Sequence, residues 1–161
     1  MKEQIISVNF DKHPIVKDRV IDFDDTDAIK KEKKIFPFKL HNDVILTIET
    51  NMRKFAFKIP AKYIWNGADI PRALWGLVGS RTDNAFLIAS MVHDYMLQFK
   101  KYIMQDVLNG ALSMAEYRRL TSLIFREVLK HTGTGTVKAN IMSGCVDIFQ
   151  KYFNKKQWNR T

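Results

Sequence analysis

Residues 35–59 read IFPFKLHNDVILTIETNMRKFAFKI, and the period of this stretch decides the fold class. Phe36, Phe38 and Leu40 alternate with Pro37 and Lys39, and Phe55, Phe57 and Ile59 alternate with Ala56 and Lys58. Successive side chains of a strand point to opposite faces, so a period of two lays one apolar face on a core. Strands are predicted over 35–40, 44–50 and 55–59, with two more upstream over 5–10 and 20–23. His41-Asn42-Asp43 and Asn51-Met52-Arg53-Lys54 are rich in turn formers and join successive strands, which predicts an antiparallel β-meander. The lysine-rich stretch 28–34 reads as a surface loop or a short helix.

Downstream of Pro71 the period becomes helical. Pro71 suits the first turn of a helix, with Asp69 as its N-cap and Gly79 as its close. Asp83 is placed to cap the next helix, which carries Phe86, Leu87, Met91, His93 and Asp94 to about Lys100. Asn109-Gly110 breaks the chain again. Ser113 with Glu116 three residues later forms a capping-box signature for a helix running to about His131. Thr132-Gly133-Thr134-Gly135 terminates it, and 137–153 reads as a last amphipathic helix. The expectation is one α+β domain over 1–161: strands over 1–64, a Trp/Gly/Pro turn and short helix over 65–79, helices over 80–153, and a basic tail over 154–161.

The composition bounds the class. A chain of 161 residues with 46% apolar content can bury a core without staples and is not disordered. No window approaches the roughly 20 apolar residues that span a bilayer. Nothing at the N-terminus reads as a signal peptide, and Cys145, the single cysteine, implies no disulfide framework. The formal charge of +9 can draw a protein to nucleic acid, an anionic membrane or an acidic protein surface. Its sources are the runs at Lys30, Lys31, Lys33 and Lys34, the pair Arg118-Arg119, and the tail with Lys155 and Lys156. These can equally be solvated faces. No helix-turn-helix pattern, zinc spacing or RNA-binding aromatic signature accompanies them, which argues against sequence-specific reading of nucleic acid.

The chemistry-bearing stretch is Ile59-Pro60-Ala61, then Trp65-Asn66-Gly67-Ala68-Asp69-Ile70-Pro71-Arg72, then Trp75, then His93-Asp94-Tyr95. These spaced elements resemble an uncharacterised family found mainly in bacteriophages and prophages. Its signature reads V-P-x-G-F-x-T-D-G-A-S-I-P-R, a Trp, and H-D-x-L-Y, followed by a helix with A-D-x-x-F. The resemblance covers roughly residues 40–150, and Thr121-Ser122-Leu123-Ile124-Phe125 stands in the place of the last element. It implies a phage-encoded protein, made in the host cytoplasm and incorporated in the particle, with other virion proteins as partners and a homo-oligomer compatible with that role.

The loop and His-Asp element also resemble those of secreted calcium-dependent phospholipases of the A class. There, loop carbonyls and the helix Asp hold calcium as a Lewis acid, the His is a general base, and a later Asp fixes its tautomer. The resemblance implies His93 as base, Asp94, Asn66, Gly67 and Asp69 as calcium ligands, and Ser122 at the orienting position. The chain departs from the pattern at several points. Asn66 stands for Asp, Asp69 for Ser, Leu97 for Tyr, and Ser122 for the orienting carboxylate, for which Asp106 is a distant substitute. Loss of that carboxylate typically lowers the rate by orders of magnitude. A degenerate scaffold without a cofactor is therefore the expectation, with a calcium-dependent hydrolase of lipid or envelope esters as the alternative.

Each candidate also has a packing role open to it. His93 and Asp94 lie about 100° apart on a helix, so they serve two halves of one site or bond separately to backbone and to the Asn66-Gly67 turn. Trp65 and Trp75 are expected to pack the two sides of that turn, Gly67 to supply a positive φ, and Cys145 to lie in the core. His13, His41 and His131 have no acidic partner at metal spacing.

Overall fold

A computed structural model describes residues 3–67 and 83–152. Within them, antiparallel strands precede a helical half, the α+β order expected. The strands are β1 (Ile5–Phe10), β2 (Val16–Asp18), β3 (Phe38–Leu40), β4 (Val44–Thr50), β5 (Lys54–Ile59) and β6 (Ile64–Trp65). A helix, α1 (Asp27–Ile35), interrupts them between β2 and β3. The helical half contains α2 (Asn84–Gln98), α3 (Met114–His131) and α4 (Thr136–Tyr152). The predicted cap at Asp69 and helix over 71–78 lie outside the described residues.

The β4–β5 hairpin follows the alternation. Val44 faces Ile59, Leu46 faces Phe57 and Ile48 faces Phe55, and all six side chains are buried. Apolar pairs directly across an antiparallel ladder reinforce each other. Its turn is held by Thr50, whose Oγ1 accepts from the backbone N–H groups of Met52 and Arg53 at 3.1 and 2.9 Å.

The antiparallel strands form as expected but divide between two sheets. The strands make two three-stranded sheets, ordered β1-β4-β5 and β2-β3-β6. β3 therefore leaves β4 and pairs with β2 and β6. His41-Asn42-Asp43 joins the two sheets instead of closing a hairpin. Asn42 accepts from Ile15 N at 2.8 Å and donates to the His13 carbonyl at 3.2 Å. Asp43 accepts from Ala61 N at 2.7 Å. The side chains that read as turn formers are clamps between distant loops.

Two strand boundaries are also corrected. The strand predicted over 35–40 shrinks to Phe38–Leu40, because α1, capped by Thr26, extends to Ile35 and Pro37 lacks the N–H a ladder needs. The strand predicted over 20–23 does not form. Val16–Asp18 takes its place in the sheet, and Arg19 N bonds to the Pro37 carbonyl at 2.7 Å as the chain leaves.

The helical boundaries follow their caps. The Asp83 side chain accepts from Ala85 N at 3.1 Å at the start of α2. After α2 the chain adds one turn at Lys100–Tyr102 and a π-helical turn at Ile103–Val107. Asn109 and Gly110, with φ of 52° and 68°, then end it. The capping box at Ser113 and Glu116 is formed in both directions. Gly133, at φ 103°, separates α3 from α4. Eleven of the 15 residues of α2 are buried, so it is the central helix and shows little amphipathic contrast. It packs on α3, which also touches α4 and β1. One continuous apolar core runs from Val8 in β1 to Val146 in α4. Cys145, beside it, is only half buried.

Candidate functional site

The site forms where β6 runs out beneath α2. Trp65 is 0% exposed. Its indole N–H donates to Ser90 Oγ at 3.2 Å, and Ser90 donates in turn to the Leu87 carbonyl at 2.9 Å. A buried indole with its N–H satisfied is a strong anchor. Tyr63 stacks on Trp65 with ring centroids 6.0 Å apart and meets Tyr95 edge-on at 5.2 Å. Phe38 closes the other flank of Trp65 at 5.8 Å. The turn is thus seated on an aromatic cluster, the packing role expected of Trp65. Trp75 lies outside the described residues.

Directly after this anchor, Gly67 adopts φ 83°, the left-handed conformation that glycine enters without strain. That turn brings Asn66 against α2. With its amide nitrogen facing the helix, Asn66 donates to Asp94 Oδ2 at 3.0 Å and to the Gly67 carbonyl at 2.8 Å. The opposite orientation would set oxygen against oxygen. Asn66, Gly67 and Asp94 are therefore brought together by the fold. Asp69 lies outside the described residues.

His93 occupies the neighbouring, deeper position. It is 3% exposed, and its ring meets Phe125 of α3 edge-on with centroids 5.9 Å apart. Its Nδ1 lies 3.6 Å from Asp94 Oδ1, beyond hydrogen-bond range. Its Nε2 is buried with no hydrogen-bond partner among the described residues, and so is the Tyr63 hydroxyl. Burial, and secondarily the Asp94 carboxylate, push the Tyr63 phenol far above its ordinary pKa. It stays protonated, under the influence of the same carboxylate that Asn66 engages. Phe125 ends the element that stands in the place of A-D-x-x-F, while Tyr63 has no part in the motif. The signal for Tyr63 was its i, i+2 spacing from Trp65, which puts both rings on one face of a strand.

Ser122 does not reach toward His93. Its hydroxyl bonds to the Arg118 carbonyl and to Asp147 Oδ1, each at 3.3 Å, while Ser143 of α4 donates to the Ser122 carbonyl at 2.7 Å. The orienting position is thus used to join α3 to α4. Asp106 is exposed in the π-helical turn.

Calcium requires six to eight oxygen ligands. Here the Gly67 carbonyl and Asp94 Oδ2 both accept from the Asn66 amide, and among the described residues no three His, Cys, Asp or Glu side chains converge.

The basic residues separate into held and open ones. Lys33 bonds to Asp25 at 2.6 Å and Asp22 at 3.2 Å, and its Asp25 bond holds the ammonium pKa above the ordinary lysine value. Lys30 donates to the Phe23 carbonyl at 3.3 Å. Arg118 pairs with Asp147. Lys31, Lys34 and Arg119 are exposed and make no ion pair among the described residues. Lys155 and Lys156 lie outside those residues. No described helix is long and apolar enough to cross a membrane.

Residues 38–146 match the family described as a protein of unknown function, DUF1353. No curated protein and no solved structure matches the chain. The match begins at β3 and ends in α4, so it takes in the aromatic seat, the Asn66-Gly67 turn and the His-Asp helix together. The chain belongs to the DUF1353 family.

Proposed function

We propose that the protein is a bacteriophage-encoded, virion-associated structural or assembly component in which the His-Asp element of a hydrolase-like scaffold serves as a clasp. The observation that carries this reading is the Asn66–Asp94 hydrogen bond beside a His93 that is 3% exposed. A general base must come within hydrogen-bond reach of the proton it takes. His93 is instead enclosed against Phe125, and Ser122 is turned to Asp147. The carboxylate ties the turn after β6 to α2, a rigid joint of the kind a particle component needs. The virion assignment rests on the likeness to phage proteins in the sequence motif. The host cytoplasm as the place of synthesis and other virion proteins as partners come with it.

The second reading is a calcium-dependent hydrolase of lipid or envelope esters. It draws on the Tyr63 hydroxyl and His93 Nε2, two buried polar atoms without described partners at one junction, since such atoms call for an explanation. Two measurements separate the readings. Calorimetry with calcium should show weak binding or none, and a phospholipid and ester release assay should show no turnover above a His93→Ala control. Calcium-dependent turnover lost in His93→Ala would establish the hydrolase. Mass spectrometry of purified particles should find the protein at stoichiometric level; its absence from particles would sink the virion assignment.

A further inference from the structure

The segment between β2 and β3 leaves the body of the protein and returns to the same place, since Asp18 and Phe38 are paired in the sheet. None of the residues of α1 within it is buried. Phe23 is 95% exposed and Val20 70%, and Ile21, Ile29 and Ile35 are also exposed. Five of the 15 exposed large apolar side chains among the described residues fall in residues 19–35. Exposed apolar groups gathered in one place mark an interaction site.

The excursion does not owe its shape to a core. Arg19 donates to the Phe36 carbonyl at 3.1 Å and pairs with Glu32 at 3.5 Å, Lys33 ties down Asp22 and Asp25, and Thr26 caps α1. The segment holds itself in place with polar groups and shows its apolar ones. A frame fixed before binding lowers the entropy lost on association.

Its charge selects the occupant. Residues 19–35 carry five basic and five acidic side chains, within a chain of net +9. Asp22 to Asp27 hold four of the carboxylates and Lys30 to Lys34 four of the cations. Asp22, Asp24 and Asp25 flank Phe23, so phosphates of a nucleic acid or an anionic membrane would be repelled where the apolar contact must form. What complements an acidic end followed by a basic end is the same sequence reversed. A two-fold axis supplies that, because an isologous interface pairs one patch with itself.

We propose that this excursion docks on a second copy of the chain, with Phe23 and Val20 at the centre of the contact and the acidic end of each copy against Lys31 and Lys34 of the other. The inference does not depend on the virion reading. It is tested by sedimentation equilibrium of the full chain across the micromolar range at moderate salt. The wild type should self-associate as a dimer. Phe23→Ser should raise the dimer Kd by about tenfold or more, the effect of losing a central aromatic anchor, with an unchanged thermal melt at concentrations where both chains are monomeric. K31E/K34E and D24K/D27K should each weaken the homodimer to a similar degree, and an equimolar mixture of the two should restore association as a heterodimer. A wild type that stays monomeric throughout, a Phe23→Ser dimer as tight as the original, or a mixture that restores nothing would overturn it. Binding of monomeric wild type to an oligonucleotide or to anionic vesicles, lost in Phe23→Ser, would overturn it in favour of that ligand.

Discussion

The clasp after β6 and the excursion before β3 are made of similar material, aromatic and aliphatic residues interleaved with charges, and they are ordered in opposite ways. At the clasp the rings of Tyr63, Trp65 and Tyr95 are buried, and the polar groups of Asn66 and Asp94 are fitted to one another inside that frame. In the excursion the polar groups form the frame, through Arg19, Lys33 and the Thr26 cap, and the apolar side chains are left outside. Apolar content alone therefore does not locate a core. What decides is whether another element arrives to cover the face. For the turn, α2 does; for α1, none of the described elements does.

The contrast is sharpest under truncation. Trp65→Ala removes a fully buried ring that also satisfies Ser90, and should lower the unfolding free energy in urea by about 3–5 kcal/mol. Phe23→Ala, an aromatic truncation of similar size, should change it by no more than about 0.5 kcal/mol at concentrations where the chain is monomeric. Comparable losses at both positions would erase the distinction between the regions.

Asp94→Ala should destabilise by about 1–3 kcal/mol, because the Asn66 amide is left without its acceptor in a largely enclosed site. An unchanged melting temperature would mean that the Asn66–Asp94 bond does not hold the turn. Tyr63→Phe separates packing from polarity within the same cluster. The hydroxyl it deletes is buried without a described partner, so the variant should be neutral or more stable by up to about 1 kcal/mol. A loss well beyond that would reveal a partner for the phenol.

The smallest effect concerns the helix start that follows the core. The carboxylate of Glu116 accepts from the Ser113 hydroxyl and backbone N–H, which hold its pKa below the ordinary glutamate value. A depressed folded-state pKa stabilises the fold above the unfolded value, and the contribution is lost as pH falls through the folded one. Thermal melts should be flat above pH 5 for this group and decline in acid, with Glu116→Gln showing a shallower decline. Identical acid profiles would remove the capping box from the stability of α3.

Much of this protein was legible locally. The strands over 5–10, 44–50 and 55–59 and the starts of α2 and α3 follow from period, turn formers and caps, because those signals act between residues a few positions apart. The proximity of the Asn66-Gly67 turn to Asp94 was legible as well, as an ordered motif whose polar members needed partners. The sheet partners were not. Strands of the same alternation can pair in several orders, and here the clamps made by Asn42 and Asp43, with backbone bonds from His41 to Ile15 and from Lys62 to Leu40, set β3 apart from β4.

The sequence by itself determined the α+β class and the starts of α2 and α3, since each depends on short-range geometry, while the pairing of the turn with His93-Asp94 came from the resemblance to a family motif. Tertiary structure alone decided which polar groups are held and which are open. Lys33 and Arg118 read as free cations in the chain, and they are neutralised by Asp25 and Asp147. Ser122 and His93 read as partners, and the packing of α3 between its neighbours turns one to Asp147 and encloses the other against Phe125. Charge, reach and exposure are properties of surroundings, and a side chain acquires its surroundings only when distant elements meet.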